Sequence, residues 1–313
     1  MTPAGTQPDV VGSPSRGIAA CAVCGHARNV REFLHLSSCS VDRCDACGFV
    51  FLGGTRSAAS ERVLYEDTDH FDGGYMEKLD IDRIVAEQRE SVDEILRRVG
   101  GRLADLPADT PILDVGCARG HFLAALAGGV GSRSLVGLDV SSAMVARGRS
   151  EFGLDLRAGA VEDADLPKAH FGLITMFDVF EHVADPRATL AKLFASLRPG
   201  GFLVLEVPSE TTVFRVLARW GFRVTGGRVR GPLEQLYHRA HLSYFTKQSL
   251  ARLIQSVGGE RIAATTKEAH VTRFGLRHFS PSKRVMIRAV CALDRLLGTQ
   301  AKLLVAFQRR AED

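Results

Sequence analysis

From residue 111 to residue 208 the chain alternates between stretches that read as strand and stretches that read as helix, and nothing else constrains its fold as strongly. Residues 111–115 read as a strand and 120–127 as a helix; 134–140 and 141–152 repeat the pair. Residues 171–177 form an apolar run suited to a strand buried on both faces. A proline then opens a helix over 186–197, and a strand over 201–207 is stopped by Pro208. Repetition of this kind predicts an α/β fold, a Rossmann-like, doubly wound and mostly parallel sheet. An amphipathic helix over residues 78–99, with Ile81, Ile84, Val85, Val92, Ile95, Leu96 and Val99 at helical spacing, precedes it across a polar linker at 103–110.

In such a sheet, ligands bind beyond the carboxyl ends of the strands. The first turn there is Leu113-Asp-Val-Gly-Cys-Ala-Arg-Gly120, in which Gly116 permits close approach of backbone to ligand and Gly120 opens the next helix. Asp139 closes the second strand nineteen residues after Gly120, where a carboxylate can accept hydrogen bonds from both hydroxyls of a ribose. The glycines do not follow G-x-G-x-x-G, so a nicotinamide dinucleotide is a poor candidate.

Five of the seven cysteines fall before residue 50. Cys21-Ala-Val-Cys24 and Cys44-Asp-Ala-Cys47 match the spacing of two metal knuckles, and Gly25 and Gly48 follow them where a tight turn wants positive φ. Four thiolates close a tetrahedral shell, so Cys21, Cys24, Cys44 and Cys47 are expected to hold a structural zinc with no open position for catalysis. With strands over 30–36 and 49–52, this predicts a zinc ribbon of about 35 residues that folds largely on its ion. Cys39 stands outside both pairs.

Composition bounds the rest. With 45% hydrophobic and 24% charged residues the chain is an ordinary globular one. No stretch reaches the roughly 20 apolar residues of a membrane span, and the Pro/Gly/Ser-rich start lacks the apolar run of a secretory signal. Residues 1–20 are therefore expected to be a disordered tail and the protein cytoplasmic, without a membrane partner. The formal charge of +4 conceals a division: residues 209–313 carry 19 basic against 7 acidic side chains, a balance of +12, so an anionic partner should approach the C-terminal third. The domains expected are the tail over 1–20, the ribbon over 21–55, a connecting helical segment over 56–110 and a catalytic domain over 111–313.

Taken together, Ile112-Leu-Asp-Val-Gly-Cys-Ala-Arg-Gly-His-Phe-Leu123, Val136-Gly-Leu-Asp-Val-Ser141, Phe177-Asp-Val-Phe-Glu-His182 and Leu197-Arg-Pro-Gly-Gly201 resemble the successive motifs of class I S-adenosylmethionine-dependent methyltransferases. The module before them resembles the zinc ribbon of one bacterial subgroup. One departure is Ala118, where the family usually has a third glycine. The resemblance implies that Asp114, Gly116, Cys117 and Gly120 surround the methionine part of S-adenosylmethionine and that Asp139 and Val140 hold the ribose. It places the adenine near Val161, Glu162 and Asp163, leaving open which acid points inward, and sets Phe177 and Asp178 beside the transferred methyl. Asp178, Glu181 and His182 look like the E-x2-E-H group of quinone-biosynthesis O-methyltransferases, where it can hold a divalent ion. They could equally supply a base, or Glu181 and His182 could cap the loop before Asp185. His241, in His241-Leu-Ser-Tyr-Phe245, is implied to reach the acceptor or to fix a lid; His238 is a weaker candidate.

The lid is the insertion over 209–243, whose residues 209–240 hold six arginines against two glutamates. Arg215, Arg219 and Trp220 share helical spacing, and Gly226-Gly227 and Gly231-Pro232 break the chain. Such a cover suits an acceptor bearing phosphate or carboxylate, or else is a solvated face or a contact within a homo-oligomer. The expected activity is methylation of oxygen or carbon in a small molecule, in specialised metabolism or cell-surface glycan synthesis. RNA base methylation is the first alternative. It is disfavoured because Arg28, Arg31 and Arg43 are balanced between Cys21 and Cys47 by Glu32, Asp42 and Asp45. A non-catalytic cofactor-binding protein is the second.

Overall fold

The computed structural model describes residues 20–26, 28–37, 39–53, 81–98, 101, 109–127, 134–237, 240–268 and 280–309. The expected tail up to residue 19, the 54–80 stretch, most of the polar linker, and His238 lie outside them.

Among the described residues the central sheet has seven strands. Strands β4 (Ile112–Val115), β5 (Leu135–Asp139), β6 (Asp155–Ala158), β7 (Phe171–Phe177) and β8 (Leu197–Pro208) are parallel to one another. Strand β11 (Lys302–Gln308) runs antiparallel between β8 and β10 (Glu260–Lys267), giving the order β10-β11-β8-β7-β4-β5-β6. Every residue of β7 is buried because helices cover both faces of the sheet, as expected for a central parallel strand. Strand β8 begins at Leu197, four residues earlier than the sequence suggests, since the preceding helix passes into it without a loop and Leu197 pairs with Phe171.

The helices are α1 (Ile81–Arg98), α2 (His121–Ala127), α3 (Ser142–Phe152), α4 (Pro186–Ser196), α5 (Val213–Val224), α6 (Gly231–Leu236), α7 (Lys247–Ser256) and α8 (Pro281–Leu297). Local chemistry sets their ends. Ser141 Oγ accepts from Met144 N at 3.3 Å to start α3, and Gly153 ends it in the left-handed region. Asp185 caps α4 ahead of Pro186. Val92, Ile95 and Leu96 of α1 are fully buried in one core with Leu123, Ile112 and Val204, while Leu113, Leu190, Leu193 and Leu253 pack in another.

A second, antiparallel sheet has the order β1-β2-β3-β9, built from β1 (Val30–His35), β2 (Ser40–Cys44), β3 (Val50–Leu52) and β9 (Ser243–Tyr244). The sequence pattern gives two strands in the cysteine module; the structure adds β2, whose Ser, Asp and Arg side chains hide a strand that buries only Val41 and Cys44. The fourth strand comes from the far side of the insertion, with Val50 opposite Tyr244 and Phe51 opposite Ser243. Phe49 packs on Phe245 at 5.2 Å, and Phe245 stacks on Phe180 at 5.3 Å. Arg187 of α4 donates to the Ala22 carbonyl at 3.1 Å. The cysteine module and the central sheet thus share a single hydrophobic core.

Candidate functional site

At the first turn, Gly116 sits at φ +77°, and a β-carbon there would stand 2.1 Å from Val179 Cγ2. Gly116→Ala is therefore expected to cost more than about 2 kcal/mol and to displace Val179, checked by chemical denaturation. Ala118, the departure from the family pattern, adopts φ +48°, a conformation that favours glycine. Its amide donates to Asp139 Oδ2 at 2.8 Å, and Ser141 N donates to Oδ1 at 2.8 Å, so Asp139 ties the first turn to the end of the second strand. Cys117 and Phe177 turn their side chains into the core: a β-carbon on Gly137 would meet Cys117 Sγ at 2.6 Å, and the Phe177 ring packs on Phe122 at 5.2 Å.

Asp114 is buried and accepts a hydrogen bond from Thr175 Oγ1 at 2.7 Å. Burial pushes its carboxyl up to about 7, the Thr175 bond opposing this and the Asp139 charge adding to it. Between about pH 4 and 7 the folded chain then binds more protons here than the unfolded one, so stability falls as pH rises through that window. Asp114→Asn is expected to flatten this slope and to raise stability at pH 8 by about 2–4 kcal/mol, read from urea melts across pH. Among the described residues no basic side chain pairs with Asp114 or Asp139.

Val140 is 40% exposed beside this turn, whereas Val161 is buried. Glu162 is half-buried and Asp163 exposed. Lys192 holds their turn by donating to the carbonyls of Val161 at 3.1 Å, Glu162 at 2.7 Å and Ala164 at 2.7 Å, a role with no local signal in sequence.

After β7 the chain bends through Asp178, a non-glycine residue at φ +55°, into a 3-10 turn, Phe180–His182. Glu181 is buried, with Oε1 at 3.8 Å from His182 Nε2 and 3.9 Å from His241 Nε2. Its Oε2 has no hydrogen-bond partner among the described residues. Burial pushes this carboxyl up to about 8, its own amide opposing and Glu206 adding. His182 Nδ1 lies 2.5 Å from the Ala240 carbonyl, which can only accept, so Nδ1 carries a proton and donates it to that bond while Nε2 faces Glu181. The three side chains bring one ligand atom each to within 4.8 Å of one another. Asp178 is not in that group. It is paired instead with the half-buried Lys302, and Glu206 is paired with Lys267 at 2.6 Å. The sequence motif D-x2-E-H thus separates in space, and His241 takes the place expected of Asp178.

Cys21 and Cys47 sulfurs lie 3.5 Å apart, as do those of Cys24 and Cys44, and all four fall within 4.8 Å of one another. The turns after each pair are made by Gly25 and Gly48 at φ +75° and +74°. Burial pushes Cys21 up to about 11 and Cys47 in the same direction, whereas Cys24, against its own burial, is drawn down to about 6 by hydrogen bonds with the His26 backbone and Cys44. Cys39 lies elsewhere, donating to the Tyr237 carbonyl at 3.4 Å.

The insertion is more committed than an arginine-rich lid suggests. Arg215 is buried, 3.3 Å from Glu210 Oε2, and Arg219 donates to Glu210 Oε1 at 2.6 Å and to Tyr237 at 2.8 Å. These two arginines neutralise a buried carboxylate that no sequence motif marks. Asp294 of α8 accepts from Val213 N at 2.8 Å and holds the start of α5. Trp220 is 65% exposed.

A family model described as a methyltransferase domain matches residues 85–263, more than half of the chain. A probable S-adenosylmethionine-dependent methyltransferase of Mycolicibacterium smegmatis is 32% identical over 112 residues, 36% of this chain and 43% of that protein. The trans-aconitate 2-methyltransferase of an Azoarcus species is 30% identical over 155 residues, 45% of this chain and 59% of that protein. The chain thus spans less than two thirds of either curated relative. In fold it is similar to a chain from the complex of the Haloferax volcanii Trm112 methyltransferase activator with a methyltransferase. That likeness has a TM-score of 0.52 and 18% identity, covering 78% of this chain and 98% of that one. The chain belongs to the methyltransferase domain family, and its Rossmann-like domain is of the class I, S-adenosylmethionine-dependent kind.

Proposed function

We propose that this protein transfers a methyl group from S-adenosylmethionine to oxygen or carbon of a small acceptor bearing phosphate or carboxylate. The observation that carries the reading is the pair Asp114 and Asp139, two carboxylates at a glycine-lined turn with no basic partner among the described residues. The cationic methionine part of the cofactor matches Asp114, while Asp139 and Val140 take the ribose and the turn at Val161, Glu162 and Asp163 the adenine. The relative named for trans-aconitate supports an acidic acceptor.

When bound, the cofactor supplies an electrophilic methyl group, so the protein's part is alignment, exclusion of water and removal of a proton from the acceptor. Glu181, His182 and His241 are suited to removing that proton, because His182 commits Nδ1 to the Ala240 carbonyl and Glu181 Oε1 lies 3.8 Å and 3.9 Å from the Nε2 atoms of the two imidazoles. The same three groups fit a divalent ion, the unpartnered Glu181 Oε2 being its natural ligand. In this reading the four cysteines hold a structural zinc, and the chain divides into the ribbon over 21–55, a connecting helical segment over 56–110 and a catalytic domain over 111–313. No described helix is long and apolar enough to cross a membrane.

Isothermal titration with S-adenosylhomocysteine tests the cofactor reading; absence of binding by the wild-type protein would sink it. His182→Ala and His241→Ala are each expected to lower kcat by about 10²-fold while leaving S-adenosylhomocysteine affinity unchanged. Full turnover in both variants would assign these histidines to the loop alone.

A further inference from the structure

Between the cysteine module and the insertion lies a groove of 460 Å³. One wall is Phe33, Arg43 and Val50 of the module, and the other is Val216, Trp220 and Arg223 on α5, with Glu210 and Arg219 at its floor. The charges do not cancel. Glu210 is already matched by Arg215 and Arg219, so Arg43 and Arg223 have no acidic partner among the described residues. Arg43 Nε is buried without a hydrogen-bond partner among the described residues. Its guanidinium lies 5.5 Å from the centre of the Phe33 ring, and that of Arg219 lies 5.7 Å from it, so the same aromatic surface carries two cations. Opposite stands Trp220, an indole left 65% exposed.

A concave site with apolar walls and a few convergent polar groups is the usual form of a small-molecule pocket. We infer that this groove binds an acidic small molecule with an apolar body, its phosphate or carboxylate held by Arg43 and Arg223 and its apolar part laid between Phe33, Val216 and Trp220. The inference rests on the methyltransferase reading only in naming that molecule as the part of the acceptor remote from the methylated atom. It gives the cysteine module a role beyond its own folding, because Phe33, Arg43 and Val50 belong to strands that the metal-binding turns hold in place. Arginine suits this role better than lysine, since its planar fork can grip two oxygens at once.

Trp220 is the only tryptophan in the chain, so its fluorescence reports on this groove. The full chain is titrated with phenyl phosphate and with phenylacetate, and with inorganic phosphate and phenol as the separate halves. A saturable change in emission is expected for at least one aryl anion, with half-saturation on the order of 1 mM or tighter, and a response to phenol at least about tenfold weaker. Arg43→Gln and Arg223→Gln should each weaken the aryl anion about tenfold with an unchanged far-ultraviolet circular dichroism spectrum. Which anion binds tells phosphate from carboxylate. The inference is overturned by no saturable change with either anion, by an equal response to phenol, or by unaltered affinity in both variants. Titration of the same samples with S-adenosylhomocysteine separates the two readings. Cofactor binding without anion binding defeats the groove alone, and anion binding without cofactor binding defeats the methyltransferase reading alone.

Discussion

Asp139→Ala is expected to weaken S-adenosylhomocysteine binding at least about 100-fold, roughly 3 kcal/mol, in an isothermal titration. Two losses add. The carboxylate that would accept from the ribose disappears, and the amides of Ala118 and Ser141, each 2.8 Å from an Asp139 oxygen, lose the acceptor that shapes the turn. Asp139→Asn separates the contributions. It retains one acceptor oxygen but sets an amide NH2 against one of the two backbone donors, so its affinity should fall between those of the wild type and the Asp139→Ala variant. Far-ultraviolet circular dichroism should change little in either variant, since the affected groups lie at a strand end and leave the sheet pairing intact. Binding by Asp139→Ala within about threefold of wild type would show that the ribose is not held here.

Cys44→Ser is expected to abolish stoichiometric zinc, measured by plasma mass spectrometry, and to lower stability by at least about 4 kcal/mol. Cys44 is fully buried, its sulfur 3.5 Å from that of Cys24, and a serine hydroxyl cannot replace a thiolate ligand. The damage should not stop at the module. Cys44 ends β2, β2 pairs with β3, and β3 pairs with β9, whose neighbour Leu242 donates to the Glu181 carbonyl at 2.9 Å. Loosening the module therefore loosens His241 and Glu181 together, and methyl transfer should fall with the zinc content. Prolonged chelation should reproduce both effects. Full zinc loading in Cys44→Ser would remove the four-cysteine site, and zinc loss with unimpaired turnover would remove the coupling.

The parts of this protein that could be read from sequence are those written in local chemistry. The βαβ run showed itself through apolar stretches and proline or glycine stops within a few residues of each boundary, and Asp139 through its distance from Gly120. The two knuckles were visible in their C-x2-C spacing, and the fold brings their four sulfurs within 4.8 Å of one another. What escaped depends on pairings distant in sequence. Strand β9 is two residues long and exists only because β3, far earlier in the chain, lies beside it. Nothing near Asp178 announces Lys302, 124 residues away. Arg215 and Arg219 looked like a cationic cover because Glu210 gave no sign that it would be buried between them. Likewise Arg43 and Trp220 face one groove only after the small sheet has closed across the insertion.

That closure also sets a timetable for the ribosome. Val50 emerges early, whereas its partner Tyr244 is made only after the whole parallel sheet has been translated. At about 5–20 residues per second, the cysteine module waits roughly 10–40 s for the strand that completes it. During that interval Phe49 lacks the Phe245 ring that packs on it in the finished protein, and the module's last strand is an open edge. Early capture of the metal by the nascent chain would shorten the time its thiols stand exposed to oxidation.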